Sequence, residues 1–276
     1  MTSRFRSEHF SKKHLIEARI SRMLDGFVYR QKHGLAKGMR RRGGLGFVPA
    51  FFARGDLKNP EYIFMMGLDL TDQVVFDIGA FEGITTLFFS NRAKQVVTYE
   101  PNPSSHARVT ENLRLNDIKN VELRNLAVGS EAGTITLTLD PLMPGAASAD
   151  TEIASQIDSS GDTNSVEVPV VRVDDDVREN DLPDPDFVKI DIEGLELSAL
   201  QGMRETLERA HPRLYMEMHG ATPEQKREKV HGIVEFVTGL GYNDITHIES
   251  GKQIGLENSA DAAEGHLYCR HPDGPQ

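Results

Sequence analysis

The stretch Val74-Val75-Phe76-Asp77-Ile78-Gly79-Ala80-Phe81-Glu82-Gly83 decides the fold, because Tyr99-Glu100-Pro101 follows it with Glu100 21 residues beyond Gly79. An apolar run stopping at Asp-x-Gly-x-x-x-Gly, a helical stretch, and a second apolar run ending in a carboxylate describe a strand-helix-strand unit that holds a nucleoside. Gly79 and Gly83 lack side chains, so the backbone can turn sharply after the strand and a ligand can approach it closely. The carboxylate of Glu100 is then expected where two ribose hydroxyls need an acceptor. The spacing departs from the dinucleotide pattern G-x-G-x-x-G, and Asp77 stands just ahead of the turn. A carboxylate there would repel a pyrophosphate and suits an ammonium or sulfonium group, which points to S-adenosylmethionine (SAM) rather than NAD.

Outward from this unit the alternation continues. Strands are expected at Gln73 to Ile78, Gln95 to Glu100, Val121 to Asn125, Phe187 to Ile190 and Arg213 to Met218, with helices over Gly83 to Asn91, Ser104 to Asn116, Leu195 to Arg209 and Glu224 to Leu240. Gly133 to Leu139 and Val166 to Val173 alternate like a hairpin, and the Ser-, Asp-, Ala- and Gly-rich segment 140–165 between them predicts a loop or lid. Asp244 to Ile248 and His266 to Arg270 are expected to pair as an antiparallel edge. The sum is an α/β protein with a doubly wound, mostly parallel sheet and an antiparallel C-terminal edge strand.

Upstream, the apolar residues Leu15, Ile16, Ile20, Met23, Leu24 and Phe27 recur at helical spacing, predicting an amphipathic helix from Phe10 to Gln31 that packs on the body. A membrane-surface helix has the same look, although this apolar face is modest. Gly34 to Gly46 holds five glycines and suggests a flexible joint, with Arg40-Arg41-Arg42 in a loop, and Asn59-Pro60 suggests a helix start. The expected division is therefore a basic helical N-terminal extension, residues 1–70, before a SAM-dependent domain, residues 71–276.

Charge separates the same two parts. Of the 31 basic and 42 acidic residues, twelve basic and three acidic lie in residues 1–43, so an arm of about +9 precedes a body of about −20. Such an arm is either a contact for an anionic partner or folds back on its own acidic body. No aromatic residues interleave with the arginines as nucleic-acid stacking platforms would. The longest apolar runs stop short of the roughly 18 residues a membrane span needs, so no transmembrane segment is expected. Cys269 is the single cysteine, which excludes an intrachain disulfide and leaves cytoplasmic placement as the expectation.

Three constellations carry candidate chemistry. Asp77, Gly79, Gly83 and Glu100 form the first, with Asn102 either adding an adenosine contact or starting the helix beside Pro103. The second is Phe187-Val188-Lys189-Ile190-Asp191-Ile192-Glu193-Gly194, where Asp191 ends a strand beside the first one and Glu193 faces the same cleft or caps the next helix. In the third, Tyr215-Met216-Glu217-Met218-His219-Gly220, Glu217 and His219 are two apart and point to one side while Met216 and Met218 point to the other. Asp191, Glu193, Glu217 and His219 thus make a polar cluster able to act as a general base or to hold a divalent cation.

These motifs together resemble the FkbM-type methyltransferases of the SAM-dependent, Rossmann-like class I fold. The resemblance runs from about Val74 to His219 and rests on Asp77-Ile-Gly-Ala80, Tyr99-Glu100-Pro101-Asn102-Pro103, the Asn112 and Asn116 spacing, Ala127-Val128-Gly129, Lys189-Ile-Asp-Ile-Glu-Gly194 and Glu217-Met-His219. It implies an O-methyltransferase with SAM over Gly79, Ala80 and Gly83, its ribose on Glu100, and Asn102 and Ala127 beside it. Phe81 stands where the family commonly has Asn, which removes a polar contact to the methionine part of SAM.

The expected acceptor is a hydroxyl of a sugar, glycan, lipid headgroup or secondary metabolite. Asp191 or His219 is expected as the base, Glu193 and Glu217 as orienting groups, and a metal-free site is favoured over one holding a cation. Two alternatives stand beside this reading. A nucleic-acid methyltransferase recruited by the basic arm is disfavoured by the acidic body and the lack of an Asn-Pro-Pro-Tyr-like segment, and a non-catalytic SAM-binding protein is disfavoured by the intact acidic cluster.

Overall fold

A computed structural model describes residues 26–43, 59–140, 143–148 and 164–275. Its centre is strand β3 (Val74–Ile78), whose five residues are all buried. Such burial on both faces is what a parallel strand between helical layers requires. Around it β4 (Gln95–Tyr99), β5 (Val121–Arg124), β10 (Phe187–Ile190), β11 (Arg213–Glu217), β12 (Asp244–His247) and β13 (His266–Arg270) complete a seven-stranded sheet in the order β5-β4-β3-β10-β11-β13-β12. Pairing is parallel from β5 to β11, while β13 runs antiparallel to both its neighbours. The expected doubly wound sheet is present, with one refinement: the antiparallel C-terminal strand enters between β11 and β12, leaving β12 at the edge.

Strand parity sends alternate residues into two cores. Phe76, Ile78, Val97, Val188, Ile190, Leu214 and Met216 pack on one face, against α4 (Val173–Glu179), α5 (Glu196–Gly202), α6 (Arg204–Ala210) and α7 (Pro223–Gly239). Val75, Val96, Phe187 and Tyr215 pack on the other, with Met65 of α1 (Pro60–Gly67) and Phe88 and Phe89 of α2 (Ile84–Ser90). Helix α3 (Pro103–Leu115) adds Val109 and Leu113 to a neighbouring cluster. The polar residues Asp77, Lys189 and Glu217 share parity with the second face and lie at or near the carboxyl ends of their strands, where open α/β sheets bind ligands.

Several expectations are corrected. Val28–Arg30 is not helical but forms β1, paired antiparallel with β2 (Arg40–Arg42), so the three arginines lie in a strand rather than a loop. The rest of the expected N-terminal helix lies outside the described residues. The single helix expected from Leu195 is two, because Asp174 accepts from the backbone N–H groups of Glu205 (3.1 Å) and Thr206 (2.9 Å) and so caps a new helix after Met203. Helix α4 and a 3₁₀ turn at Leu256–Ala262 were not anticipated.

The hairpin-like region forms a second sheet in the order β6-β9-β7-β8, built from β6 (Ala127–Val128), β7 (Gly133–Asp140), β8 (Met143–Ser148) and β9 (Asn164–Val171). Part of the expected 140–165 loop is therefore strand, and residues 149–163 lie outside the described set. Among the described residues, no helix is long and apolar enough to cross a membrane.

Candidate functional site

The turn after β3 is shaped by two glycines at positive φ, Gly79 at 84° and Gly83 at 78°. A Cβ at Gly79 would stand 1.8 Å from the Asp191 carbonyl oxygen, so the turn can lie against the end of β10 only without a side chain. Gly79 donates its N–H to the Tyr99 carbonyl at 2.9 Å, and Ala80, buried, accepts from Gly83 at 2.8 Å. Phe81 sits at φ 49° and donates its N–H to Glu100 Oε2 at 2.6 Å, while the Asn102 N–H donates to Glu100 Oε1 at 2.9 Å. Glu100 is thereby fixed at the carboxyl end of β4. Burial pushes its carboxyl up to about 7 against the pull of the two N–H donors.

Asp77 is fully buried, and its oxygens accept from the hydroxyls of Thr85 (3.0 Å) and Thr86 (2.6 Å) in the first turn of α2. Its partners are protein groups. Asn102 is buried too, its Oδ1 accepting from the Ser104 N–H at 3.0 Å as the N-cap of α3, the second of the two roles expected for it. Ala127 is not brought into this group by its side chain, which packs with Leu137, Val168 and Val170 in the second sheet.

The parallel register sets Lys189 beside Asp77 on one side and Tyr215 on the other. Its buried ammonium donates to the Gly79 carbonyl at 2.8 Å and lies 3.0 Å from Asp191 Oδ2 and 3.6 Å from Asp77 Oδ1. Burial works against that charge, but Asp191 and Asp77 outweigh it and raise the Lys189 pKa. The same contact, with His219, holds the Asp191 carboxyl below its usual range despite burial.

The four expected polar residues do converge. His219 Nε2 lies 3.8 Å from Asp191 Oδ1, 3.8 Å from Glu193 Oε2 and 3.6 Å from Glu217 Oε1. Its Nδ1 is 2.9 Å from Oε1 of the buried Glu196, which also accepts from the Gly194 N–H at 2.9 Å. Burial disfavours an imidazolium there, yet the Glu196 hydrogen bond and the Glu193 and Asp191 carboxylates push His219 up to about 9. Glu193, at φ 54°, is pushed up to about 7 by burial, opposed by His219 and reinforced by Asp191 and Glu217. Asp191, Glu217 and His219 each offer a ligand atom within 4.8 Å of the others, a donor set that suits a divalent cation.

Four further residues belong to the site. Lys189 stood in the quoted motif without a role, although a lysine inside a fully apolar strand was a readable signal. Glu196 looked like an ordinary residue of a helix start. Glu61 of α1, whose carboxyl burial raises against the pull of His266, also feels the charges of Glu217 and Asp191. His266, pushed up to about 9 by Glu217 and Glu249 against its burial, reaches Glu217 at 3.7 Å from β13. The last two come from elements distant in sequence, and no local pattern announces them.

Known proteins resemble this chain in sequence over about half of its length. The chain is 27% identical over 146 residues to Methyltransferase 1 of Beauveria bassiana, covering 48% of this chain and 59% of that one. It is 29% identical over 137 residues to the hexuronic acid methyltransferase AglP of Haloferax volcanii, covering 50% and 52%. The chain thus spans about half to three fifths of the length of these relatives. The crystal structure of methyltransferase FkbM from Methylobacillus flagellatus superposes with a TM-score of 0.48 at 18% identity, over 76% of this chain and 50% of that one. The methyltransferase FkbM domain model matches residues 77–243, from the aspartate of the glycine turn to past the His219 strand end. With more than half of its length matched, this chain belongs to the FkbM methyltransferase family.

Proposed function

We propose that this chain is a SAM-dependent O-methyltransferase acting on a hydroxyl of a sugar, glycan, lipid headgroup or secondary metabolite. The observation that carries the reading is Glu100, a carboxylate locked by two backbone N–H groups at the end of β4, beside the glycine turn that follows β3. SAM bound there supplies an electrophilic methyl group. Gly79, Ala80 and Gly83 would hold the nucleoside and Glu100 would accept from its ribose hydroxyls, while Asp77 holds α2 and Lys189 in place. Asn102 acts through its N–H, which holds Glu100 Oε1 in place, and the side chain of Ala127 packs in the second sheet.

Methyl transfer to a hydroxyl requires an in-line approach and removal of the acceptor's proton. Electrostatics favour Glu193 as the base over the Asp191 and His219 expected from sequence. Asp191 is held too acidic by Lys189 and His219, and His219 already carries its proton at neutral pH. Glu193, near 7, is matched to the task. With SAM as the methyl donor and S-adenosylhomocysteine as the product, the Glu193 carboxylate would take the proton that the acceptor hydroxyl gives up. Asp191, Glu217 and the His219 imidazolium orient the acceptor. AglP, a hexuronic acid methyltransferase, makes uronic acid-bearing glycans the first acceptors to try.

Calorimetry with SAM, S-adenosylhomocysteine and NAD tests the cofactor. SAM and S-adenosylhomocysteine should bind and NAD should not, and Glu100→Ala should weaken SAM binding by about 1.5 to 3 kcal/mol. Micromolar NAD binding, or a folded protein that ignores SAM, sinks the reading. The donor set of Asp191, Glu217 and His219 supports a second version in which a cation positions the acceptor. Loss of turnover with a chelator and its return with Mg²⁺ or Mn²⁺ would select that version.

A further inference from the structure

We propose that the β1–β2 hairpin is a clamp on the glycine turn, and that Arg41 is a positioning residue for the nucleoside held there; the inference rests on the SAM-binding reading above. The strand alternation of β2 leaves Arg40 and Arg42 exposed and turns Arg41 inward, where it is fully buried. Its guanidinium donates to Glu82 Oε2 at 3.0 Å, Gln31 Oε1 at 3.2 Å and the Tyr29 hydroxyl at 3.3 Å. Glu82 is itself buried and lies inside the turn, between Phe81 and Gly83. A buried ion pair costs desolvation of both charges, and removing one partner leaves the other uncompensated, so each group restrains the other strongly.

The backbone repeats the connection. Asn112 of α3 accepts the Arg42 N–H at 2.9 Å and donates to the Glu82 carbonyl at 3.1 Å, bridging hairpin and turn. One α-helical turn on, Asn116 accepts the Arg40 N–H at 2.8 Å and donates to the Arg40 carbonyl at 2.7 Å. These are the two asparagines whose spacing the sequence displays. Ala36 and Met39, between the two strands, pack in one cluster with Ala80 of the turn. A turn with glycines at both ends is free to wander, and a ligand would have to order it on binding. The clamp orders it beforehand. Reciprocity then requires that a ligand which binds the ordered turn also stabilises the hairpin.

Hydrogen exchange on the wild-type full chain, with and without saturating SAM, reads that coupling. Amide protection at Val28–Arg30 and Arg40–Arg42 should rise about tenfold or more with SAM. Arg41→Gln and Glu82→Gln should each raise the SAM Kd about tenfold, with the double variant no worse than either single one. In each, kcat at saturating SAM should stay near wild type, whereas Arg40→Gln, exposed on the same strand, should leave the Kd unchanged. SAM binding with unchanged hairpin protection overturns the clamp, as do folded Arg41→Gln protein with wild-type Kd and additive single effects. Should Arg41→Gln not fold, the wild-type exchange result decides alone. Absence of SAM binding to wild type is a different result and removes the functional reading itself.

Discussion

An ammonium buried at Lys189 is tolerated because three oxygens surround it, from Gly79, Asp191 and Asp77, and its neighbours inherit their protonation from that arrangement. Asp191 is kept ionised. His219, facing three carboxylates from Nε2 and Glu196 from Nδ1, is kept cationic, which leaves Glu193 as the acid able to change state near neutrality. The rate at saturating SAM should therefore rise with pH through about 7, as Glu193 loses its proton. Saturation keeps the separate titration of Glu100, also near 7, out of this measurement. Glu193→Gln should lower kcat by about 10² to 10⁴ and flatten the rising limb. If the limb persists in Glu193→Gln and disappears in Asp191→Asn, the base is Asp191 instead.

Between elements, α5 fits closely against the segment after β6. A Cβ at Gly202 would stand 1.9 Å from the Gly129 carbonyl oxygen, while Ser198 accepts from the Ser130 N–H at 3.0 Å one turn earlier. Helix α5 also carries Glu196, so displacing it would loosen the contact to His219. Gly202→Ala should lower stability by about 1 to 3 kcal/mol, read as a fall in the urea midpoint, and should cost turnover; wild-type values for both would show that the junction yields freely. Sequence made the elements around this junction legible unequally. The strands β3, β4, β10 and β11 announce themselves as apolar runs, and their carboxyl-end residues Asp77, Glu100, Asp191, Glu217 and His219 could be placed by parity alone. The break between α5 and α6 could not, because its cause is Asp174, reaching from a helix some thirty residues upstream. Arg41 was hidden for a related reason: three consecutive arginines look solvated until strand pairing with Val28–Arg30 turns the middle one inward.

For the whole molecule, the acidic body and the protonated cluster at its centre push stability in the same direction with pH. His219 and His266 are raised from 6.5 to about 9, so each binds its proton more tightly folded than unfolded. Such a group contributes stability that is full below about 6.5 and is lost as pH climbs through about 9. Glu100 and Glu193, raised from 4.5 to about 7, follow the same sign at lower pH, their contribution full below 4.5 and gone above about 7. Asp191 and Glu249, held below their usual range, act oppositely and weaken the fold only as acid protonates them. Self-repulsion of a body near −20 grows as the imidazolium charges disappear. The ligand-free protein should thus be most stable at mildly acidic pH and lose stability steadily from pH 7 to 10, the two histidines contributing on the order of 2 kcal/mol each. Urea midpoints measured across that range check it, with His219→Gln and His266→Gln each expected to flatten the slope. A midpoint constant or rising from pH 7 to 10 would mean that the carboxylates around these imidazoles do not hold their protons in the folded chain.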